Sequence, residues 1–152
     1  MSNVATQTVR VDGLRELGEA MRGLSAKVAE RIAGQATAAA AKLVKTTAQS
    51  NIRQSPAIDT GSLLGAIIVK KLPKGQLAGL TVAHIVTVRG RGKPANKKGQ
   101  KIDRAPHAHL VEFGTVNMPA EPFLRPAYES EKRKAVDVIA ERLRRGIAKA
   151  KR

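Results

Sequence analysis

One 22-residue stretch, His107 to Tyr128, constrains this chain more than any other. It holds both phenylalanines, the single tyrosine and three of the seven prolines. Pro119, Pro122 and Pro126 each fix φ and remove a backbone donor, so the stretch cannot be a long helix or a central strand and must follow a rigid path. That path carries Phe113 and Phe123, the largest apolar anchors available, toward a core or toward a partner surface.

The rest of the chain offers little bulk to pack against. Its 152 residues suit one domain, 1–152, and a 42% hydrophobic content makes that domain globular. Alanine fills 24 of the hydrophobic positions, so each buried residue removes less apolar area than usual and the core is expected to be thin. Neighbouring subunits would then supply part of the stability. A net charge of +16 points to a polyanionic partner or a strongly acidic protein surface. The plain alternative is that basic residues solubilise an alanine-rich exterior. Cysteine is absent, which excludes disulfides, thiolate metal sites and cysteine nucleophiles and agrees with a reducing cytoplasm. The N-terminus has no secretory apolar region, and no apolar run approaches the ~20 residues that span a bilayer.

Periodicity divides the chain. Asp12 is placed to cap a short helix carrying Leu14, Leu17, Met21 and Leu24 at three- and four-residue steps. Ser25 is placed to cap a longer one to about Ile52, with Val28, Ile32, Ala36, Ala39 and Leu43 on one face and alanines that let another backbone approach closely. Ser55-Pro56 breaks it, and Thr60-Gly61-Ser62 opens a short turn or helix. Ala66–Leu72 is rich in Ile and Val, and Leu80 to Val88 alternates. With Pro73-Lys74-Gly75-Gln76 between them, the two runs predict an antiparallel hairpin. Residues 89–104 carry seven basic side chains against one acid, Asp103, and predict a flexible basic loop. His109–Phe113 reads as a short strand or a helical turn. Pro126 suits the first turn of a final helix with Val136, Ile139, Leu143 and Ile147 on its apolar face and a frayed end over residues 148–152. The expected fold is α+β: two N-terminal helices and a C-terminal helix packed on a small antiparallel β-sheet, with a long basic loop.

Catalytic chemistry finds little support. His107-x-His109 near Glu112 is the tightest cluster, but a zinc site needs three or four converging ligands. A hydrolase built on these three would require bound metal. Glu112 reads better as a structural carboxylate paired with a nearby arginine, and His84 as a hydrogen-bonded core or interface histidine. Walker, GxSxG and dinucleotide signatures are lacking, and no catalytic residue, metal or cofactor is expected. Nucleic-acid stacking is equally poor with so few aromatics. Sequence-independent phosphate contact through Arg89, Arg91, Lys93, Lys97, Lys98, Lys101 and Arg104 remains open, as does docking of the same residues on an acidic protein.

The run Ala108, Val111, Glu112, Phe113, Gly114, Thr115, followed by Ala120, Pro122, Phe123, Leu124, Arg125, Pro126 and Ala127, resembles the hallmark of the HK97 gp10-like family of tailed-bacteriophage proteins. Val11-Asp12-Gly13-Leu14 before a helix and Asp59-Thr60-Gly61-Ser62-Leu63 match that pattern in the same order. The likeness extends from about Val9 to the C-terminal helix, and EFGT with PFLRPA is its most specific pair. His107 departs from it, standing where the family often has an aromatic residue. The resemblance implies a structural virion protein of a long-tailed phage and not an enzyme. It would form a ring, six-fold or twelve-fold, in the neck or tail end, completing the tail and joining it to the DNA-filled head. Expected partners are head–tail connector proteins, the tail terminator and tail tube, and duplex DNA in the channel, with no membrane. The expected location is the virion, and the host cytoplasm during assembly. Phe113, Gly114, Pro122, Phe123, Leu124, Arg125 and Pro126 are the expected interface or structural anchors. The reading from another class is a small basic nucleic-acid-binding protein, ribosome- or nucleoid-associated.

Overall fold

The computed structural model describes residues 13–55, 60–77, 80–90 and 104–151. Helix α1 (Leu14–Arg22) opens on Gly13, whose φ of 80° is left-handed, and the expected cap Asp12 lies outside the described residues. Leu17, Met21 and Leu24 pack as a stripe, as their spacing predicts, while Leu14 at the first turn stays exposed.

Helix α2 (Ala26–Gln54) runs antiparallel to α5 (Leu124–Ala150), and this pair is the frame of the molecule. At one end Ala48 and Ile52 of α2 meet Phe123 and Ala127. At the other, Gly146 lies so close to α2 that a Cβ there would fall 2.5 Å from Ile32 Cγ2. The buried positions of α2 are Ile32, Ala36, Ala40, Ala48 and Ile52, with Val44 packed on the same core. This differs from the expected face through Ala39 and Leu43. A row of four-residue steps turns by about 40° per step, so it winds around α2 and follows an inclined neighbour, as four-on-four helix packing requires. Glu131 on α5 is buried in this seam, accepting a hydrogen bond from Thr47 Oγ1 at 3.2 Å, with Lys134 Nζ 3.5 Å from its second oxygen.

Strands β1 (Ile67–Lys71) and β2 (His84–Val88) form an antiparallel pair, with Ile67 opposite Val88 and Lys71 opposite His84. Leu72 N–H donates to Ala83 O at 2.9 Å, extending the ladder by one position. Pro73 has no N–H to continue it, and a 3-10 turn over Lys74–Gln76 follows, so the alternation that begins at Leu80 becomes strand only at His84. Ile67, Val86 and Val88 face the main core, which α3 (Thr60–Ala66) closes through Leu63. The segment left open between strand and helix is α4 (Ala108–Phe113). The architecture is the expected α+β one, helices flanking a two-stranded antiparallel sheet. Helix α5 persists to Ala150, over residues read from sequence as a frayed end. Among the described residues no helix is long and apolar enough to cross a membrane.

Candidate assembly surface

The proline-rich stretch is a clamp built around the start of α5. A helix N-terminus leaves its first N–H groups without intrahelical acceptors. Pro122 and Phe123 bring those donors against α4, where the Glu112 carboxylate accepts N–H bonds from Phe123 at 2.8 Å, Leu124 at 3.0 Å and Arg125 at 3.0 Å. The partner of Glu112 is therefore backbone rather than the arginine side chain expected. An anionic acceptor at this position also complements the helix dipole. His107 and His109 stand exposed beside it. Among the described residues no three His, Asp or Glu side chains are grouped to hold a metal.

Gly114 is required by the same clamp. Its φ is +73°, and a Cβ would meet Ala120 N at 2.7 Å and Met118 O at 2.9 Å. Beyond it, Thr115 and Met118 close a tight turn through N–H to O bonds of 2.8 and 3.3 Å. The returning segment is fastened by Glu121 N–H to Val111 O at 2.8 Å, by Asn51 Nδ2 to Phe123 O at 3.1 Å, and by a hydrogen bond from Ser55 Oγ to Glu121. The last residues of α2 thus hold the clamp in place, a role that sequence spacing does not announce.

The two phenylalanines go opposite ways. Phe123 is 1% exposed, at the centre of the core, whereas Phe113 is 69% exposed. Val116 at the turn tip, Met118 beside it and Tyr128 on α5 are exposed too. Leu124 is half-buried against the core, and Pro122, Arg125 and Pro126 are exposed around it. Val116, Met118 and Tyr128 were missed by sequence reading. The signal was present in apolar residues flanking Asn117 at a turn, where polar ones are usual.

Beside Tyr128 an open groove of about 630 Å3 runs along β2, floored by Ala40, Ala41 and Val44 of α2 and by Leu124, Ala135 and Ile139 of α5. His84 stands at its margin. Its Nδ1 is 2.9 Å from Thr37 Oγ1, whose hydroxyl is also 2.9 Å from Ala33 O. Desolvation first, and then the charge of Lys71, hold the imidazole below its ordinary pKa of 6.5. His84 is thus the hydrogen-bonded histidine its place among valines suggested.

Of the basic positions, Arg89 is half-buried at the base of the hairpin, where its backbone N–H donates to Ala66 O at 2.8 Å and its backbone C=O accepts from Ala105 N–H at 2.8 Å. Arg104 is also half-buried. Arg91, Lys93, Lys97, Lys98 and Lys101 lie outside the described residues.

A family model with the description "Bacteriophage HK97-gp10, putative tail-component" matches residues 15–114, from α1 through α4. The chain belongs to the HK97 gp10-like family. No curated protein and no solved structure matches it. Membership places it among bacteriophage tail components, structural proteins that work against other virion proteins. The match ends on Gly114, and the second half of the motif, residues 122–127, lies beyond it. The Glu112 clamp is what joins the two halves physically.

Proposed function

We propose that this HK97 gp10-like chain completes the tail of a long-tailed phage and joins it to the DNA-filled head. Identical subunits form a closed ring, six-fold or twelve-fold, that meets head–tail connector proteins on one side and the tail terminator and tail tube on the other. A closed ring of one polypeptide suits a passage for DNA because every subunit then presents the same face to the axis.

The observation that carries the reading is the exposure of Phe113, Val116 and Met118 on a rigidly clamped projection. Three large apolar side chains exposed within six residues of chain favour a contact with another protein. Glu112, Gly114 and the α2 bonds to the clamp fix their positions, so the projection enters a neighbour with little loss of conformational entropy. Phe123, Leu124 and Pro126 support it from below, while Pro122 and Arg125 border it. The basic residues of 89–104 contact duplex DNA in the channel or an acidic neighbouring ring.

The test is electron microscopy of lysates from a phage lacking this chain. Filled heads and finished tails should accumulate apart, with complete particles restored when the chain is supplied in trans. Normal virions in its absence would reject the joining role.

A further inference from the structure

Helix α2 carries five basic residues, Lys27, Arg31, Lys42, Lys45 and Arg53, against one acid, Glu30. Four of the five share a face. From Lys27 through Arg31, Gln35, Ala38 and Lys42 to Lys45 the steps are four, four, three, four and three residues, so at 3.6 residues per turn these positions fall within about 80° of arc. The buried Ile32, Ala36 and Ala40 are centred roughly 140° away. Lys27, Arg31 and Lys42 are accordingly exposed, and Lys45 is half-buried.

This arrangement works against the helix. Lys27 with Arg31, and Lys42 with Lys45, are like charges at four- and three-residue spacing, which repel. Lys27 also stands in the first turn, where the helix dipole disfavours a cation and no acid compensates it. The one carboxylate of α2 is engaged elsewhere, with Glu30 Oε1 3.3 Å from Lys71 Nζ on β1. A solvated helix face ordinarily mixes both signs. A row of one sign, kept against these penalties, favours a binding surface over a merely soluble one.

Beside the row lies an open groove of about 760 Å3, whose lining combines Lys27, Arg31 and Lys71 with Val28, Gly34 and Ala38. Cations next to apolar carbon suit a sugar–phosphate ridge, which presents phosphate oxygens to the first and deoxyribose carbons to the second. Length chooses between anionic ligands. Lys27 to Lys45 spans about 27 Å, over which one strand of a duplex presents about eight phosphates. An acidic protein would have to repeat its carboxylates over the same distance. Neither the row nor the groove lining includes an aromatic side chain on which the bases of a single strand could stack.

We propose that the Lys27–Lys45 face of α2, with the adjoining groove, binds the phosphate backbone of duplex DNA without regard to sequence. Arg31 offers a forked donor to phosphate oxygens, and the lysines act as point charges.

The site is separate from residues 89–104 and stands whether or not the chain joins heads to tails, so its test uses the purified full-length protein. Binding of short duplexes of unrelated sequence is followed by fluorescence anisotropy over a range of salt. One variant combines Lys27→Gln, Arg31→Gln, Lys42→Gln and Lys45→Gln. A second replaces the exposed Arg133, Arg142, Lys149 and Lys151, on α5 and at its C-terminal end, by Gln. Both fall from +16 to +12, four charges fewer. The α2 variant should flatten the slope of log affinity against log salt by about 0.9 for each phosphate left without its cation, and at least twice as much as the α5 variant does. Thermal unfolding checks that both variants are folded. Should the fourfold α2 variant fail to fold, Lys27→Gln with Arg31→Gln is compared in the same way with Arg133→Gln and Arg142→Gln. A smaller ratio between the two faces would reduce the effect to net charge and overturn the proposal. A slope untouched by the α2 replacements would overturn it as well, and if that variant then failed in particle assembly the row would belong to an acidic protein instead.

Discussion

At the scale of single residues, the two phenylalanines allow stability to be tested apart from the proposed assembly role. Phe123 is enclosed by both long helices and α3, so Phe123→Ala should destabilise the fold by about 3–5 kcal/mol and lower the melting temperature by roughly 10 °C. Phe113→Ala removes a ring that stands mostly in solvent and should change stability by less than about 0.5 kcal/mol while blocking incorporation into particles. Thermal unfolding of the two variants, beside a complementation assay, checks both arms. A large loss of stability in Phe113→Ala would make it a core residue and remove the basis for its role as a contact. Both rings occur in the same proline-rich context, and nothing local tells them apart. Only the fold sorts them, by placing α4 at the surface and the start of α5 under α2. The same holds for Glu112: its acceptor role depends on donors 11 to 13 residues later, beyond the reach of any periodicity.

Among the elements, those with enough turns or alternations to show a period were legible in the sequence, and short ones were not. The α1 stripe, the length of α2 and the hairpin follow from spacing. Six-residue α4 shows no period, and its helical form rests on Gly114 and on the Glu112 clamp. The face of α2 was displaced because its partner helix, rather than its own hydrophobicity, chooses among alanines of equal character. That dependence is testable with two glycines. Gly18 in α1 has open space around its Cα, so Gly18→Ala should stabilise by about 0.5–1 kcal/mol through helix propensity. Gly146→Ala forces a methyl group into buried Ile32 and should destabilise by about 1–3 kcal/mol. Opposite shifts in denaturant midpoint are expected, and a neutral Gly146→Ala would deny the close crossing of α2 and α5. The seam between α2 and β2 carries a pH response. Folding holds the His84 pKa below 6.5, so the unfolded chain binds more protons just below that pH. The stabilising contribution is full above 6.5 and is lost as pH falls through the lowered folded value. The stability difference between the wild type and His84→Gln should accordingly shrink on acidification from pH 7.5, and the imidazole should titrate in NMR with a midpoint below 6.5. A midpoint at or above 6.5 would contradict the burial of this side chain beside Lys71 and Thr37.

For the whole molecule, the governing quantity is charge. A chain of +16 repels its own copies at long range, so subunits can gather only where apolar contacts or an anionic partner offset that repulsion. On the proposed reading, the projection at Phe113 would offer the first and the basic residues of 89–104 the second. On that reading composition gives a partner's sign but not its nature, because a phosphate backbone and an acidic protein attract lysine and arginine alike. Salt dependence separates them. Replacing Arg91, Lys93, Lys97, Lys98 and Lys101 by Gln lowers the net charge from +16 to +11, five charges fewer. If these residues neutralise phosphates of a duplex, the slope of log affinity against log salt should flatten by about 0.9 for every phosphate left without its cation. Fluorescence anisotropy with duplexes of unrelated sequence should then show a uniform weakening across sequences, since phosphate contacts carry no base information. A slope unchanged by all five replacements would remove DNA as the partner of this region and leave an acidic neighbouring ring. The variant should then fail in particle assembly while binding duplex as the wild type does.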